Sequence, residues 1–358
     1  MFVRLILITF ITPIFYKNKH SYIYKRSKSL IESFADYKDI ELIIADSSKK
    51  PILNGSFKNI KIIHSFCNDK LFSPAKARNQ AVLKATYELI FFYDVDLFFD
   101  PRLIKQLLNL AQKLTQNKKD FIALPFLYLT KKGSTFLTAK KDIQAIKSSF
   151  LKGENHLVES FAANGTTILL KKSDFLKLGG FREDFLGHGG EDFDFLHRLF
   201  SLYPNSTKHN DYYVNQTSQF VANLKGFRKY MAYYSLPNFF DDLFLLHLWH
   251  PRPFGNPFYF RKEINKTLLL DSMQNFDKVN KSTYISTKQL PDLENFILDL
   301  AHKHGLSKDQ CIGFFSYGKG IRSPKKPLSS KLRKLLLNPK SFLQDSKILK
   351  SLTKMKNP

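Results

Sequence analysis

Two acidic residues, Asp94 and Asp96, follow a run of apolar residues and are separated by a single position. The run ELIFFY at residues 88–93 is typical of a buried β-strand, and side chains at positions i and i+2 share one face of a strand. Two carboxylates on one face offer the hard oxygen ligands that Mg²⁺ or Mn²⁺ prefers. Such an ion neutralises a diphosphate leaving group. The alternative is a solvated acidic turn.

A second acidic pair, Glu191 and Asp192, follows the glycine-rich sequence GHGG at residues 187–190. Glycines allow the backbone to turn tightly beside a ligand. The two acids then begin a predicted helix, and an acid at that place can accept a proton from an attacking hydroxyl. The alternative is a helix start whose acids only complement the helix dipole.

Two histidines, His247 and His250, lie three positions apart on either side of Trp249. A lone histidine is usually structural. A pair at this spacing offers neutral imidazole ligands to a metal ion, which makes both side chains candidate ligands.

The elements that must position these residues alternate along the chain. The predicted strands cover residues 3–11, 41–46, 60–66, 88–96, 120–130 and 163–172, and the predicted helices cover residues 27–37, 73–86, about 102–114 and 173–179. Continuous apolar strands that alternate with helices indicate an α/β fold with a mostly parallel sheet covered on both faces.

Several details of these elements are also predicted. Pro13 is expected to end the first strand, and Ser73 and Pro74 are typical of a helix N-terminus. Residues 131–160 are polar and mixed and are expected to form a mobile loop. Ligands bind such sheets beyond the carboxyl ends of strands, where Asp46 and the pair at 94 and 96 are expected.

The composition favours a folded chain with polyanionic partners. The 358 residues suit one large domain with a small appendix, and the net charge is +25. Twelve lysines and arginines but only one acid, Asp345, lie from Lys319 to the end. Residues 331–352 are therefore predicted to form one or two basic amphipathic helices that bind an anionic membrane surface.

The N-terminus and the cysteines give information on the cellular compartment of the protein. The apolar run from Leu5 to Phe15 resembles a short signal peptide, but no small-residue cleavage site follows it, so a buried strand is favoured. Cys67 and Cys311 are far apart and have no metal-like spacing. A disulfide scaffold is excluded and a reducing compartment fits.

Three segments carry a family resemblance that covers about residues 3–255. ELIIADSS resembles the second-strand signature of the family 2 type of GT-A glycosyltransferases, and KARNQAVLKATYELIFFYDVDLFF resembles their ARN helix followed by a DxD strand. ANGTTILLKKSDFLKLGGFREDFLGHGGEDFDFLHRL is similar to the carboxyl-half motif of β-1,4-galactosyltransferases and of chondroitin and capsule polymerases. The tail KLRKLLLNPKSFLQDS resembles tails of bacterial capsule and lipooligosaccharide transferases.

The resemblance implies a domain organisation and a nucleotide site. It implies a Rossmann-like GT-A nucleotide-sugar-binding domain over residues 1–265, a small helical C-terminal extension over 266–318 and a basic tail over 319–358. Asp46 would contact the nucleotide base, with Arg78 and Asn79 near the nucleotide and Asp94 facing the ribose or the metal.

The resemblance also assigns metal and acceptor residues. Asp96 and His250 would bind Mn²⁺ or Mg²⁺, Glu191 would bind the acceptor and Asp192 would be the catalytic base. Two departures are the histidine at 188, where relatives carry Trp, and Thr12-Pro13-Ile14 in place of the usual loop after the first strand.

The function implied is inverting transfer of a sugar from a nucleotide sugar, with a UDP-linked donor favoured, to a bacterial capsule or lipooligosaccharide glycan. A lipid-linked acceptor would place the enzyme on the cytoplasmic face of the inner membrane.

The competing hypotheses are a nucleic-acid-binding protein or nuclease and an inactive scaffold. The first predicts basic residues interleaved with stacking aromatics, whereas the tail has only Phe342 past Tyr317, so no nucleic-acid partner is expected. The intact acids argue against the second.

Overall fold

The computed structural model describes residues 7–55, 57–65, 71–116, 119–252, 256–280, 288–324, 332, 335–336 and 339–344. The strands are β1 (Ile8–Ile14), β2 (Ile40–Asp46), β3 (Ile60–His64), β4 (Leu89–Phe92), β5 (Phe121–Ala123), β6 (Phe126–Leu129), β7 (Val158–Ala162), β8 (Ile168–Lys171) and β9 (Leu245–His247). The α-helices are α1 (Tyr22–Phe34), α2 (Pro74–Lys84), α3 (Pro101–Thr115), α4 (Lys131–Lys140), α5 (Ile143–Leu151), α6 (Lys172–Lys177), α7 (Glu191–Leu202), α8 (Phe227–Phe240), α9 (Lys262–Asn280), α10 (Leu293–Lys303) and α11 (Pro339–Gln344). Short 3₁₀ helices cover Val221–Asn223, Pro257–Tyr259 and Lys308–Phe314.

The central sheet has the strand order β3-β2-β1-β4-β8-β5. The four strands from β3 to β4 are parallel to one another, and β8 runs antiparallel to both β4 and β5. Every residue of β1, β2 and β4 is buried. The predicted α/β class with a mostly parallel central sheet is confirmed.

Helices cover both faces of this sheet. Adjacent strand residues point to opposite faces, so Phe10 and Ile11 of β1 belong to different cores. Phe10 packs with Phe34 of α1 and Leu107 of α3, whereas Ile11 packs with Ala81 of α2. The sheet is therefore a rigid support for the residues that follow the carboxyl ends of its strands.

A second sheet has the order β7-β6-β9, with β6 antiparallel to β7 and parallel to β9. The prediction of one strand over residues 120–130 is wrong, because β5 belongs to the central sheet and β6 to the second one. Leu124 and Pro125 lie between them, and proline has no N–H for a sheet ladder. The Leu124 N–H donates to Thr167 at 2.9 Å, while the Pro125 carbonyl accepts from Leu245 at 3.0 Å.

The prediction of a mobile loop over residues 131–160 is also wrong, since this segment forms α4, α5 and most of β7. Side chains cap both helices: the Thr130 hydroxyl accepts from the Gly133 N–H at 2.9 Å, and Asp142 accepts from the Ala145 N–H at 2.9 Å. Buried Leu137 and Ile146 pack in the core beneath the second sheet. Most polar residues of the segment lie on the outer faces of these helices, and they obscure the apolar stripe in the sequence.

Strand β1 runs through Pro13 instead of ending before it. Residues 3–6 of the predicted strand lie outside the described residues. The backbone pairing of β1 with β4 ends at Ile11, so the strand has a free edge on that side where proline is tolerated. Beyond that point the Thr12 hydroxyl donates to the Tyr93 carbonyl at 2.7 Å.

The carboxyl-terminal part begins with α9, which contains the predicted boundary at residue 265. Arg182 donates to Ser272 of this helix at 2.8 Å, so the helix contacts the preceding part of the chain. The predicted division of the chain into three parts stays a prediction. Most residues of the predicted tail helices over 331–352 lie outside the described residues. The described part includes α11 and the exposed side chains of Leu336 and Leu343. Over the part of the chain described, no helix is long and apolar enough to cross a membrane.

Candidate active site

Both acids of the first pair lie just past β4, on a turn at the carboxyl end of the strand. The strand ends at Phe92, and the Leu97 N–H donates to the Asp94 carbonyl at 3.0 Å. The expectation that Asp94 and Asp96 extend from one strand face is therefore wrong. The turn directs the two carboxylates to different partners, which gives them different environments.

Asp94 is joined to the second acidic motif by one arginine. Arg78 of α2 donates to Asp94 at 2.8 Å and to Glu191 at 3.3 Å, and its side chain is only 4% exposed. Thr166 donates to the other oxygen of Asp94 at 3.2 Å. The structure thus brings together Asp94, Arg78 and Glu191, which lie far apart in the sequence.

Asp96 lies beside both predicted histidines. The Leu248 N–H donates to the Asp96 carbonyl at 2.8 Å, which holds the end of β9 against the turn. A potential ligand atom of each of Asp96, His247 and His250 lies within 4.8 Å of the others, and Nε2 of His250 is 3.7 Å from Oδ2 of Asp96. One carboxylate and two imidazoles form a donor set that fits a divalent metal ion.

The histidines are held in forms that suit metal binding. Burial lowers the pKa of His247 to about 4, so its imidazole is neutral at physiological pH. Nδ1 of His250 lies 3.1 Å from the Tyr22 hydroxyl, and the two rings stack with centroids 5.2 Å apart. A hydrogen bond to the far ring nitrogen of a ligating histidine fixes the orientation of the ring.

Helix α1 supplies two residues that the sequence analysis missed, Tyr22 and Arg26. Arg26 contacts the carboxylate of Asp96 and also donates to the Trp249 carbonyl at 2.8 Å. The two residues are one helical turn apart and therefore share a face. That spacing is the only signal in the sequence, and the predicted helix began after both of them, at residue 27.

The second acidic pair begins α7 after the glycine-rich loop. Gly190 has a φ of 110°, and a Cβ there would lie 2.6 Å from the Phe185 ring, so only glycine fits. Oδ1 of Asp192 accepts from the Phe193 N–H at 2.9 Å and from the Gly190 N–H at 3.3 Å. Both hydrogen bonds use Oδ1, and Oδ2 accepts none from the described residues. Oδ2 is therefore the atom that can take a proton.

The two acids of this pair differ in surroundings and share a raised pKa. Burial, followed by the charge of Asp192, raises the pKa of Glu191 to about 7. Burial also raises the pKa of Asp192. Oε2 of Glu191 is buried with no hydrogen-bond partner among the described residues. A buried oxygen of this kind disfavours the charged carboxylate.

Two predicted nucleotide-site residues make internal hydrogen bonds. Asp46 ends β2 but is 1% exposed, and it accepts from the Tyr16 hydroxyl at 2.7 Å and the Ser48 N–H at 2.8 Å. Asn79 donates to the Phe181 carbonyl at 2.8 Å and accepts from the Phe181 N–H at 2.9 Å. Both side chains organise the loops around the site, and their contact with a nucleotide stays a prediction.

His188, the first departure from the resemblance, is held by the chain that follows β9. Its N–H donates to the Phe258 carbonyl at 2.8 Å, and its ring lies 5.2 Å from that of Tyr259. The side chain of His188 is exposed. The rings of Phe258 and Tyr259 thus lie beside the position where relatives of the predicted family carry Trp.

Comparison with known proteins identifies the family of the chain. The family described as "Glycosyltransferase like family 2" matches residues 9–275. The chain belongs to this family. It is a glycosyltransferase, as predicted from the sequence. No curated protein matches the chain in sequence.

Three solved structures are similar to the chain at low identity. The mannosyltransferase PcManGT from Pyrobaculum calidifontis, in complex with GDP-Man and Mn²⁺, is 15% identical over 99% of this chain and 84% of its own, with a TM-score of 0.39. S. aureus TarS 1–349, in complex with UDP-GlcNAc, is 14% identical over 95% of this chain and 81% of its own, with a TM-score of 0.42. A second S. aureus TarS structure is 14% identical over 97% of this chain and 50% of its own, with a TM-score of 0.39.

The raised pKa of Glu191 predicts a pH-dependent stability. The folded protein favours the neutral carboxyl, so this contribution is fully present below the ordinary pKa of 4.5 and is lost as pH rises through about 7. Glu191→Gln keeps the group neutral at every pH. Between pH 5 and 8 the free energy of unfolding of the unmodified protein should therefore fall by about 1–3 kcal/mol more than that of the variant. Urea unfolding at both pH values measures this difference.

Glu32→Gln, a change at an exposed acid of α1, is the matched control and should retain the original pH dependence. Identical pH dependence in Glu191→Gln and the unmodified glycosyltransferase would contradict the assignment.

Proposed function

We propose that this glycosyltransferase is an inverting, metal-dependent enzyme that moves a sugar from a nucleotide sugar, with a UDP-linked donor favoured, to a hydroxyl of a bacterial surface glycan. The observation that carries the proposal is the pairing of Arg78 with both Asp94 and Glu191, next to the cluster of Asp96 with two histidines. This pairing joins a candidate donor side to a candidate acceptor side. Membership of a glycosyltransferase family favours it over nucleic-acid binding.

The donor side would use the acids past β4. Asp96, His247 and His250, with Asp94 beside them, would hold Mn²⁺ or Mg²⁺. When bound, the ion supplies positive charge to the departing nucleoside diphosphate. Asp46 and Asn79, together with Arg78, remain the residues proposed to border the nucleotide. In this proposal Arg78 holds the Asp94 carboxylate in place.

The acceptor side would use the start of α7. Oδ2 of Asp192 would take the proton of the acceptor hydroxyl while the hydroxyl oxygen forms a bond to the anomeric carbon. The bond from the anomeric carbon to the diphosphate oxygen breaks on the opposite face, so the configuration inverts. Glu191, whose neutral form is favoured by burial, would donate a hydrogen bond to the acceptor.

The natural acceptor would be a capsule or lipooligosaccharide glycan on a lipid carrier. The +25 net charge and the basic tail support a location on the cytoplasmic face of the inner membrane. The exposed leucines at 336 and 343 are consistent with a tail that inserts apolar side chains among lipid headgroups.

A panel of nucleotide sugars tests the proposed reaction. With one UDP-linked member and Mn²⁺, the enzyme should release nucleoside diphosphate, and EDTA should stop the release. Asp96→Ala should abolish turnover and leave the circular dichroism spectrum unchanged, because the side chain lies past the strand and outside the core. Asp120→Ala, at an exposed acid, is the control and should keep full turnover. Full turnover of Asp96→Ala at limiting Mn²⁺ would exclude the metal role.

Replacement of the proposed base should act on the chemical step. Asp192→Asn should lower kcat by about 10²-fold or more and leave donor binding little changed, as expected when a proton acceptor is lost. Asp271→Asn on the exposed face of α9 is the matched control. Steady-state kinetics with varied donor separates the two effects, and an unchanged kcat with a raised KM would make Asp192 a binding residue instead.

The tail makes a separate prediction. Removal of residues 325–358 should abolish binding to anionic liposomes and leave transfer to a soluble acceptor intact. Binding by the full chain should weaken as salt rises, because salt screens the attraction to the lipid surface. Co-sedimentation with anionic and neutral liposomes measures this. Equal binding by the full and shortened chains would rule out the tail as the membrane contact.

A further inference from the structure

A positive side chain already lies against the proposed metal-binding carboxylate. One terminal nitrogen of Arg26 contacts Oδ1 of Asp96, and the other donates to the Trp249 carbonyl at 2.8 Å. The two charged side chains are only 22% and 16% exposed, respectively. Limited solvent exposure strengthens their attraction relative to a surface ion pair. The arginine is therefore a built-in counter-ion of Asp96.

The position of this arginine is set by the fold. Ser27, Leu30 and Phe34 of α1 are buried against the sheet, which fixes the helix. The guanidinium carbon of Arg26 lies 5.2 Å from the centroid of the Tyr22 ring, which stacks on His250. Helix α1 thus holds a cation and an aromatic ring over the same cluster.

We propose that Arg26 keeps the affinity of the site at Asp96, His247 and His250 for a divalent cation low until a nucleoside diphosphate binds. The inference rests on the proposed function, because it takes this cluster as the metal site. A divalent ion that shares Asp96 with a guanidinium is repelled by it at short range. The carboxylate charge that would attract the ion is also already neutralised.

A nucleoside diphosphate removes this obstacle. Its phosphate oxygens accept paired hydrogen bonds from a guanidinium, so Arg26 can exchange the Asp96 carboxylate for phosphate. Oδ1 of Asp96 then becomes available, and the negative diphosphate offsets the charge of the arginine. The metal ion and the diphosphate therefore bind cooperatively, and each raises the affinity for the other by the same factor.

A purely structural role for Arg26 makes a different prediction. If the arginine served only to hold the Trp249 carbonyl and the histidine beside it, its loss would loosen the cluster. Mn²⁺ would then bind no more tightly than before, with or without nucleotide. The sign of the change in Mn²⁺ affinity separates the two roles.

Titration with Mn²⁺, with the free ion counted by electron paramagnetic resonance, tests the proposal on the full chain. Without nucleotide, Arg26→Met should bind Mn²⁺ at least about tenfold more tightly than the unmodified enzyme, in line with removal of one nearby charge. UDP, with GDP in parallel, should strengthen Mn²⁺ binding strongly in the unmodified enzyme and much less in the variant. Arg102→Met, at an exposed arginine that pairs with Asp100, removes the same charge elsewhere and should behave as unmodified.

A second variant guards against misfolding. Arg26→Gln retains a donor for the Trp249 carbonyl without the charge, and it should also tighten Mn²⁺ binding with a normal melting temperature. Equal or weaker Mn²⁺ binding by both variants, or tight nucleotide-independent binding by the unmodified enzyme, overturns the proposal. If sugar transfer still requires Asp96 in that case, the proposed function is unaffected.

Discussion

The contacts of buried Arg78 with two acidic side chains are the constraint on which the candidate site depends. A guanidinium that is 4% exposed must be matched by acceptors, because an unpaired buried charge is strongly destabilising. Asp94 and Glu191 supply those acceptors. Since α2 follows β3, Asp94 follows β4 and Glu191 begins α7, this one side chain joins the strand edge to the later half of the domain. The separation of the proposed donor and acceptor sides is a consequence of its position.

An aromatic core supports this arrangement from below. Phe92, the last residue of β4, packs edge to face on Phe181 with centroids 5.0 Å apart, and Phe181 lies 4.7 Å from Phe195 of α7. The ring of Phe185 occupies the space that a Cβ at position 190 would need. Aromatic side chains bury large areas in fixed geometries, so they hold the turn after β4 and the loop before α7 in register. The high phenylalanine content of the chain, 35 residues, thus has a local structural use.

The cluster of Asp96 with the two histidines depends on a different set of contacts. The strand β9 returns to the turn past β4, where the backbone hydrogen bond from Leu248 to Asp96 places both histidines. Helix α1 then closes the cluster from the other side through Tyr22 and Arg26. Candidate ligands and counter-ion come from three separate segments on a rigid sheet, which is the usual way that loops position functional residues.

The sequence by itself determined the local features of this protein. Apolar runs predicted β1, β2, β3 and β4, the serine and proline at 73 and 74 predicted the start of α2, and the glycines before Glu191 predicted the loop before α7. These features depend on neighbouring residues, so they are visible in a linear pattern. The same local view failed at Pro125, where one apolar run is divided between two sheets, and over residues 131–160, where polar outer faces concealed two capped helices.

Only the tertiary structure decided which of these residues meet. The partners of Arg78 are 16 and 113 positions away, and Tyr22 and His250 are 228 positions apart. No spacing rule connects residues so distant, because the packing of α1, α2 and α7 on the sheet sets their separation. The same packing engages Asp46 and Asn79 in internal hydrogen bonds, raises the pKa of Glu191 and places Arg26 on Asp96. The residue types were readable from the sequence, but their charges, partners and accessibility follow from three-dimensional contact.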